Sequence, residues 1–275
     1  MSPLTLPKQK TPPKRTLSDV SILIYGPSKI GKSTFASQSP DAIFLATEPG
    51  LNALEVYQQP IRSWPEFLEA CNELAKGNHP FKTVVIDTID ILYRLCADHV
   101  CQKQGVEHES MGSHGKIYGL IKNEMYRVLT KLGHLPYGLI LISHSQDRDL
   151  ETRTGTVTRT VPTLTESFRQ IIIGLVDLIL LCDIDVTTGP DGKRSQRRVI
   201  RTKPSANYDA GDRFGILPDV IDLDYTAFVR AFEGKANGKP GAKQQAGTAA
   251  TPATTAAKPT QPTAATTTTT DKESK

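Results

Sequence analysis

Residues 26–33, Gly26-Pro27-Ser28-Lys29-Ile30-Gly31-Lys32-Ser33, constrain this chain more than any other stretch. They fit G-x-x-x-x-G-K-[ST], in the setting that pattern needs. An apolar run at 20–25 leads in, and Thr34-Phe35-Ala36-Ser37 can open a helix directly after. The glycines let backbone N–H groups curl around phosphate oxygens with no Cβ in the way. Lys32 would reach the β- and γ-phosphates, and the Ser33 hydroxyl would bind Mg²⁺. The helix start adds partial positive charge. The expected phosphate cradle runs from Gly26 to Thr34.

Strand and helix signals alternate around that loop. Strands are expected at 20–25, 42–46, 83–87 and 138–143, and helices at 32–38, 89–104 and 116–132. Ser63-Trp64-Pro65-Glu66 is a capping box, so a helix should start there and stop at Gly77. The strand runs are continuously apolar, which suits a parallel sheet buried on both faces. After Asp177 the pattern changes. Two strands at 178–186 and 197–203 flank Thr188-Gly189-Pro190-Asp191-Gly192, reading as an antiparallel hairpin. A final helix is expected at 225–232. The fold class is α/β: a mainly parallel sheet with flanking helices and a C-terminal antiparallel extension.

In a parallel sheet all carboxyl ends share one edge, where ligands bind. The first strand ends in the phosphate loop, the second in Thr47-Glu48, the third in Asp87 and the fourth in Ser143-His144-Ser145-Gln146. Asp87 suits the Walker B role of holding Mg²⁺. Thr88 follows it, so a group that orients an attacking water must come from elsewhere. Glu48 is the candidate. Asp90 is the weaker one and reads more simply as a helix cap. His144 and Gln146 suit sensing of the γ-phosphate.

The segment 147–170 carries Arg148, Arg153, Arg159 and Arg169 among many threonines. It suits a mobile basic loop touching the backbone of single-stranded nucleic acid, or else a solvated surface hairpin. The stretch 102–118 is a second candidate loop. Lys193, Arg194, Arg197, Arg198, Arg201 and Lys203 form the densest basic run. It suits DNA contact or a charged hairpin tip that keeps an edge strand soluble. Lys203 and Arg213 suit charge stabilisation of a transferring phosphoryl group, from this subunit or a neighbour. Cys96, His99, Cys101, His108 and His114 have spacings that match no common zinc site.

The net charge of +4 is unevenly placed. Residues 1–15 and 234–275 each carry +4, leaving 23 basic and 27 acidic residues between them. DNA contact by the body therefore needs a local cluster. The ends read as a flexible basic arm, 1–15, and a disordered low-complexity tail, 234–275, around one domain at 16–233. No signal peptide, membrane span or CxxC pair is evident, which suits a reduced cytoplasmic protein.

Taken together, ILIYGPSKIGKST, IFLATEPG, TVVIDTID and LILISHSQDR resemble, in that order, the RecA-like P-loop ATPases of bacteriophages. These are the AAA-type phage nucleotide-binding proteins, which include Sak-type single-strand annealing recombinases. The stretch RTKPSANYDAGDRFGILPDVIDLDY looks like that family's closing segment. The resemblance spans about residues 18–233. It implies ATP and Mg²⁺ as cofactors, Glu48 as catalytic base, Asp87 as the Walker B carboxylate, and His144 or Gln146 as the link to DNA-binding loops. It further implies hydrolysis coupled to single-stranded DNA, annealing or strand exchange, and a homo-oligomeric ring or short filament. A single-strand-binding protein is a possible partner, and the host bacterial cytoplasm the setting. An ATPase adaptor or helicase-loader-like protein and a small-molecule P-loop kinase are the alternatives.

Overall fold

Aliphatic residues fill the central strands from end to end because both faces of the sheet are covered. In the computed structural model, which describes residues 6–111, 115–152, 155–188 and 192–236, odd and even positions feed two separate cores. Strand β1 (Ser21–Gly26) sends Leu23 to one face and Ile22 and Ile24 to the other. Helix α1 (Lys32–Ser37) follows the phosphate loop, then β2 (Ala42–Ala46) and a short edge strand β3 (Tyr57–Pro60). Helix α2 (Trp64–Lys76) starts on Ser63, whose Oγ accepts from Glu66 N–H at 3.4 Å, and ends at Gly77 with φ 72°. The capping box and its stop lie where the sequence puts them.

Strand β4 (Thr83–Asp87) leads into α3 (Ile89–Gln104), and α4 (Lys116–Gly133) into β5 (Gly138–Thr152). Strand β6 (Gly155–Pro162) pairs back on β5, and α5 (Glu166–Leu175) returns the chain to β7 (Leu178–Thr188). Strand β8 (Arg194–Arg201), the short β9 (Gly211–Asp212) and β10 (Val220–Asp222), and α6 (Tyr225–Ala236) complete the domain. The main path of the sheet is β10-β8-β7-β1-β5-β4-β2-β3. It is parallel from β7 to β3 and antiparallel at β8 and β10. Helices α2 to α5 cover one face. On the other, Phe35 of α1 meets Phe228 of α6 edge-on, with ring centroids 5.4 Å apart.

Two features position the site. Gly26 is level with His144, and Asp87 with both Ala46 and Ile142, so the strand ends converge on one edge. Beyond that edge, β5 and β7 both continue as antiparallel hairpins, one on each side of the phosphate loop.

One expectation is corrected here. The segment 147–170 is not a mobile loop; its described residues form the β5–β6 hairpin, the alternative that the sequence also offered, and the first half of α5. Alternating threonines satisfy a strand without large apolar residues because their hydroxyls cross the ladder. Thr160, Thr158 and Thr156 donate to Asp147 at 2.7 Å, Asp149 at 2.7 Å and Glu151 at 3.1 Å. The stretch 102–118 ends α3, forms one short turn of helix at Glu109–Met111 and starts α4. Residues 6–16 hold no helix or strand. The tail expected from 234 lies outside the described residues beyond Ala236.

Candidate functional site

The loop after β1 depends on two glycines. A Cβ on Gly26 would lie 2.5 Å from the Cys182 carbonyl oxygen of β7, and Gly31 has φ 117° with Arg198 Nη1 3.2 Å from its Cβ position. Neither place admits a side chain without displacing backbone or the Arg198 contact. Between them the loop folds back over Lys32. Its ammonium is buried and donates to the Gly26 and Pro27 carbonyls, each at 2.9 Å. Burial pulls its pKa below 10.5, and the nearby carboxylates of Asp87, Asp90 and Glu48 oppose that.

Ser33 Oγ donates to Asp87 Oδ2 at 2.7 Å, joining the start of α1 to the end of β4. Asp87 is buried, and burial raises its pKa; the Ser33 hydrogen bond lowers it and Glu48 raises it again. A buried carboxylate beside a hydroxyl is hard oxygen chemistry in want of a cation. Among the described residues no group of three His, Cys, Asp or Glu side chains could hold a metal alone. The pair therefore fits Mg²⁺ shared with phosphate oxygens and water, the usual arrangement for that ion. His114, one of the zinc candidates, lies outside the described residues.

Glu48 follows β2 and stands half-exposed, with Oε1 3.4 Å from His144 Nε2. The other ring nitrogen, Nδ1, lies 3.2 Å from Ser28 Oγ in the loop. One imidazole thus bridges the phosphate loop and the candidate base. Asp90 holds that bridge in place. Its buried carboxylate accepts from Ser143 Oγ at 2.9 Å and from His144 N–H at 3.1 Å. Burial pushes its pKa up to about 6, against the pull of those two hydrogen bonds. The helix-cap reading of Asp90 had missed this reach across to β5. Thr47 is a further member: its Oγ1 accepts from Thr88 N–H at 2.8 Å and donates to Thr88 O at 3.0 Å.

The other expected site residues lie elsewhere. Gln146 sits one step out on β5, with its amide against Pro162 O and the Arg148 guanidinium. With its oxygen turned to Arg148 it accepts from Nε at 3.0 Å and Nη2 at 2.8 Å. Arg148 also donates to Leu164 O at 3.1 Å, and Arg159 to Asp209 Oδ1 at 2.6 Å. Arg169 is buried, 6% exposed, and its guanidinium binds Asp209 and Glu166. Its burial and these two ion pairs make Arg169 an anchor of the hairpin base, correcting its reading as a DNA contact. Arg153 lies outside the described residues.

Lys203 and Arg213 are corrected as groups acting on their own phosphate loop. Arg213 donates to Asp177 Oδ1 at 3.1 Å, and Asp177 accepts the Ser21 N–H at 3.1 Å at the start of β1. The loop begins at the opposite end of that strand, five residues or ~17 Å away. Lys203 pairs with Asp212 at 3.2 Å, and Asp212 is level with Leu178 at the same remote end.

Comparisons with known proteins bear on the family rather than on individual site residues. The family model described as "AAA domain" matches residues 18–214. The SPbeta prophage-derived uncharacterized protein YorG of Bacillus subtilis is 28% identical over 134 residues, 46% of this chain. This chain spans only 41% of the length of that relative. Among solved structures, the flagellar accessory protein FlaH of Methanocaldococcus jannaschii is 12% identical with a TM-score of 0.39, covering 74% of this chain and 84% of its own. The KaiC-like protein PH0186 of Pyrococcus horikoshii OT3 is 14% identical with a TM-score of 0.37, covering 67% and 78%. Among the described residues, no helix is long and apolar enough to cross a membrane.

Proposed function

We propose that this chain, which belongs to the AAA domain family matched over residues 18–214, hydrolyses ATP and uses the cycle to control a single-stranded DNA site on its β5–β6 hairpin. One observation carries the reading. His144 touches Ser28 of the phosphate loop and Glu48, and it belongs to the strand that continues out as the hairpin.

In this account Lys32 would neutralise the terminal phosphates, and Ser33 and Asp87 would hold Mg²⁺, which would supply Lewis-acid stabilisation of the developing charge. Glu48 orients the attacking water and takes up its proton. His144, held by Asp90, reports the state of the loop to β5. The prophage origin in the relative's name supports a phage setting. The role we propose there is annealing or strand exchange by a homo-oligomer. The experiment is single-stranded DNA affinity of Glu48→Gln with ATP or ADP at moderate salt. Tighter binding with ATP supports coupling; equal affinity rejects it.

A second reading has its own support. One face of the hairpin carries Asp147, Asp149 and Glu151, each already bonded to a cross-strand threonine. A carboxylate ladder repels a phosphate backbone and suits a protein partner, as in an ATP-switched loader or adaptor. ATP-dependent binding of a replication protein, with no DNA affinity in either nucleotide state, would favour it.

A further inference from the structure

The β7–β8 hairpin, on the other side of the phosphate loop, has two unlike faces. On one, Asp183 binds Arg201 at 2.7 Å, Asp185 binds Arg197 at 3.0 Å and Thr187 meets Ser195 at 2.7 Å. The other face climbs in register from Cys182 opposite Ile200, both buried, to Ile184 opposite Arg198 and Val186 opposite Gln196. Ile184 is 48% and Val186 51% exposed. Arg198 leans onto the phosphate loop, where Nη1 donates to Ile30 O at 3.1 Å. This apolar pair is therefore joined to the loop by a guanidinium.

Polarity along the site decides what the pair faces. The groups suited to the metal and the terminal phosphate, Asp87 and Glu48, end strands on the β5–β4–β2 side of β1. A nucleoside triphosphate with its γ-phosphate turned toward them points its nucleoside the opposite way, toward β7 and β8. Flat apolar contact and one forked donor are what a purine ring and its sugar-phosphate oxygens need.

We propose that Ile184, Val186 and Arg198 form the nucleoside subsite of this phosphate loop. The base packs on the two aliphatic side chains, and Arg198 donates to ribose or α-phosphate oxygens. The inference rests on reading the loop as a triphosphate site.

The test compares Mg–ATP with Mg–tripolyphosphate, which has no nucleoside, by titration calorimetry. Ile184→Ser with Val186→Ser removes apolar surface without adding charge, and both side chains are exposed enough to spare the fold. The double variant should bind ATP about tenfold more weakly and tripolyphosphate as the wild type does. Unchanged ATP affinity, or an equal loss for both ligands, overturns the subsite. Photolabelling with 8-azido-ATP gives a second measure: label within 182–198 supports it, and label only elsewhere overturns it. Wild-type protein that binds neither ligand would overturn the triphosphate reading itself, and the subsite with it.

Discussion

His144 Nδ1 stands 3.2 Å from Ser28 Oγ, so the residue where β5 leaves the central sheet is in contact with the loop that β1 delivers. Neither residue is near the other in sequence. Parallel pairing of β1 with β5, Gly26 level with His144, makes the contact. Glu48 completes the bridge at 3.4 Å from Nε2.

Glu48→Gln keeps the shape of the side chain and removes its basicity. ATP binding should persist while turnover falls about 100-fold or more. Single-turnover hydrolysis with a parallel binding titration checks this; normal turnover would remove Glu48 from the catalytic role.

Asp87→Asn leaves Ser33 a hydrogen-bond acceptor but removes the buried charge. Mg²⁺-dependent hydrolysis should fall about 100-fold. Because burial disfavours the Asp87 carboxylate, thermal stability of the variant should not fall. Hydrolysis that keeps its wild-type Mg²⁺ dependence would remove Asp87 from the metal site.

Asp90 links stability to pH with a definite sign. Its folded pKa of about 6 lies above the ordinary 3.8, so between those values the folded chain holds the extra proton. This group's contribution is therefore full below 3.8, declines as pH rises to about 6, and is gone above it. Asp90→Asn should remove that slope. The variant–wild-type difference in unfolding free energy should change by about 3 kcal/mol between acid and neutral pH. Urea denaturation across that range is the check, and a constant difference would contradict it.

Asp209 joins both arginines at the hairpin base, and its main-chain oxygen accepts from Tyr25 Oη at 2.6 Å, next to Gly26. Asp209→Ala strands buried charge and should cost about 3–5 kcal/mol in chemical denaturation. A cost below about 1 kcal/mol would mean that the network is solvated.

Much of this was legible in the chain because local rules and topology agree. Strands β2 and β4 and helix α3 occupy the expected residues, and α2 starts and stops at its cap signals. Strand β3 was not legible. Tyr57-Gln58-Gln59-Pro60 is exposed throughout and has no buried face to pattern. The β5–β6 hairpin was legible only as one of two readings, and helix α5 not at all, because cross-strand hydroxyls and the buried Arg169 ion pairs replace an apolar signal there. In the site, strand ends could be listed from sequence, but the reach of Asp90 to His144 and of Arg198 to Ile30 depends on three-dimensional register. Arg213 shows the converse: a basic side chain alone said nothing of its place at the far end of β1.

Steady-state ATP hydrolysis with Mg²⁺, with and without single-stranded DNA, tests the central claim most directly when wild type, Lys32→Ala and His144→Ala are run together. The account predicts saturable stimulation in the wild type, no hydrolysis in Lys32→Ala, and a basal rate without stimulation in His144→Ala. A wild-type rate indifferent to DNA, or full stimulation in His144→Ala, would contradict it.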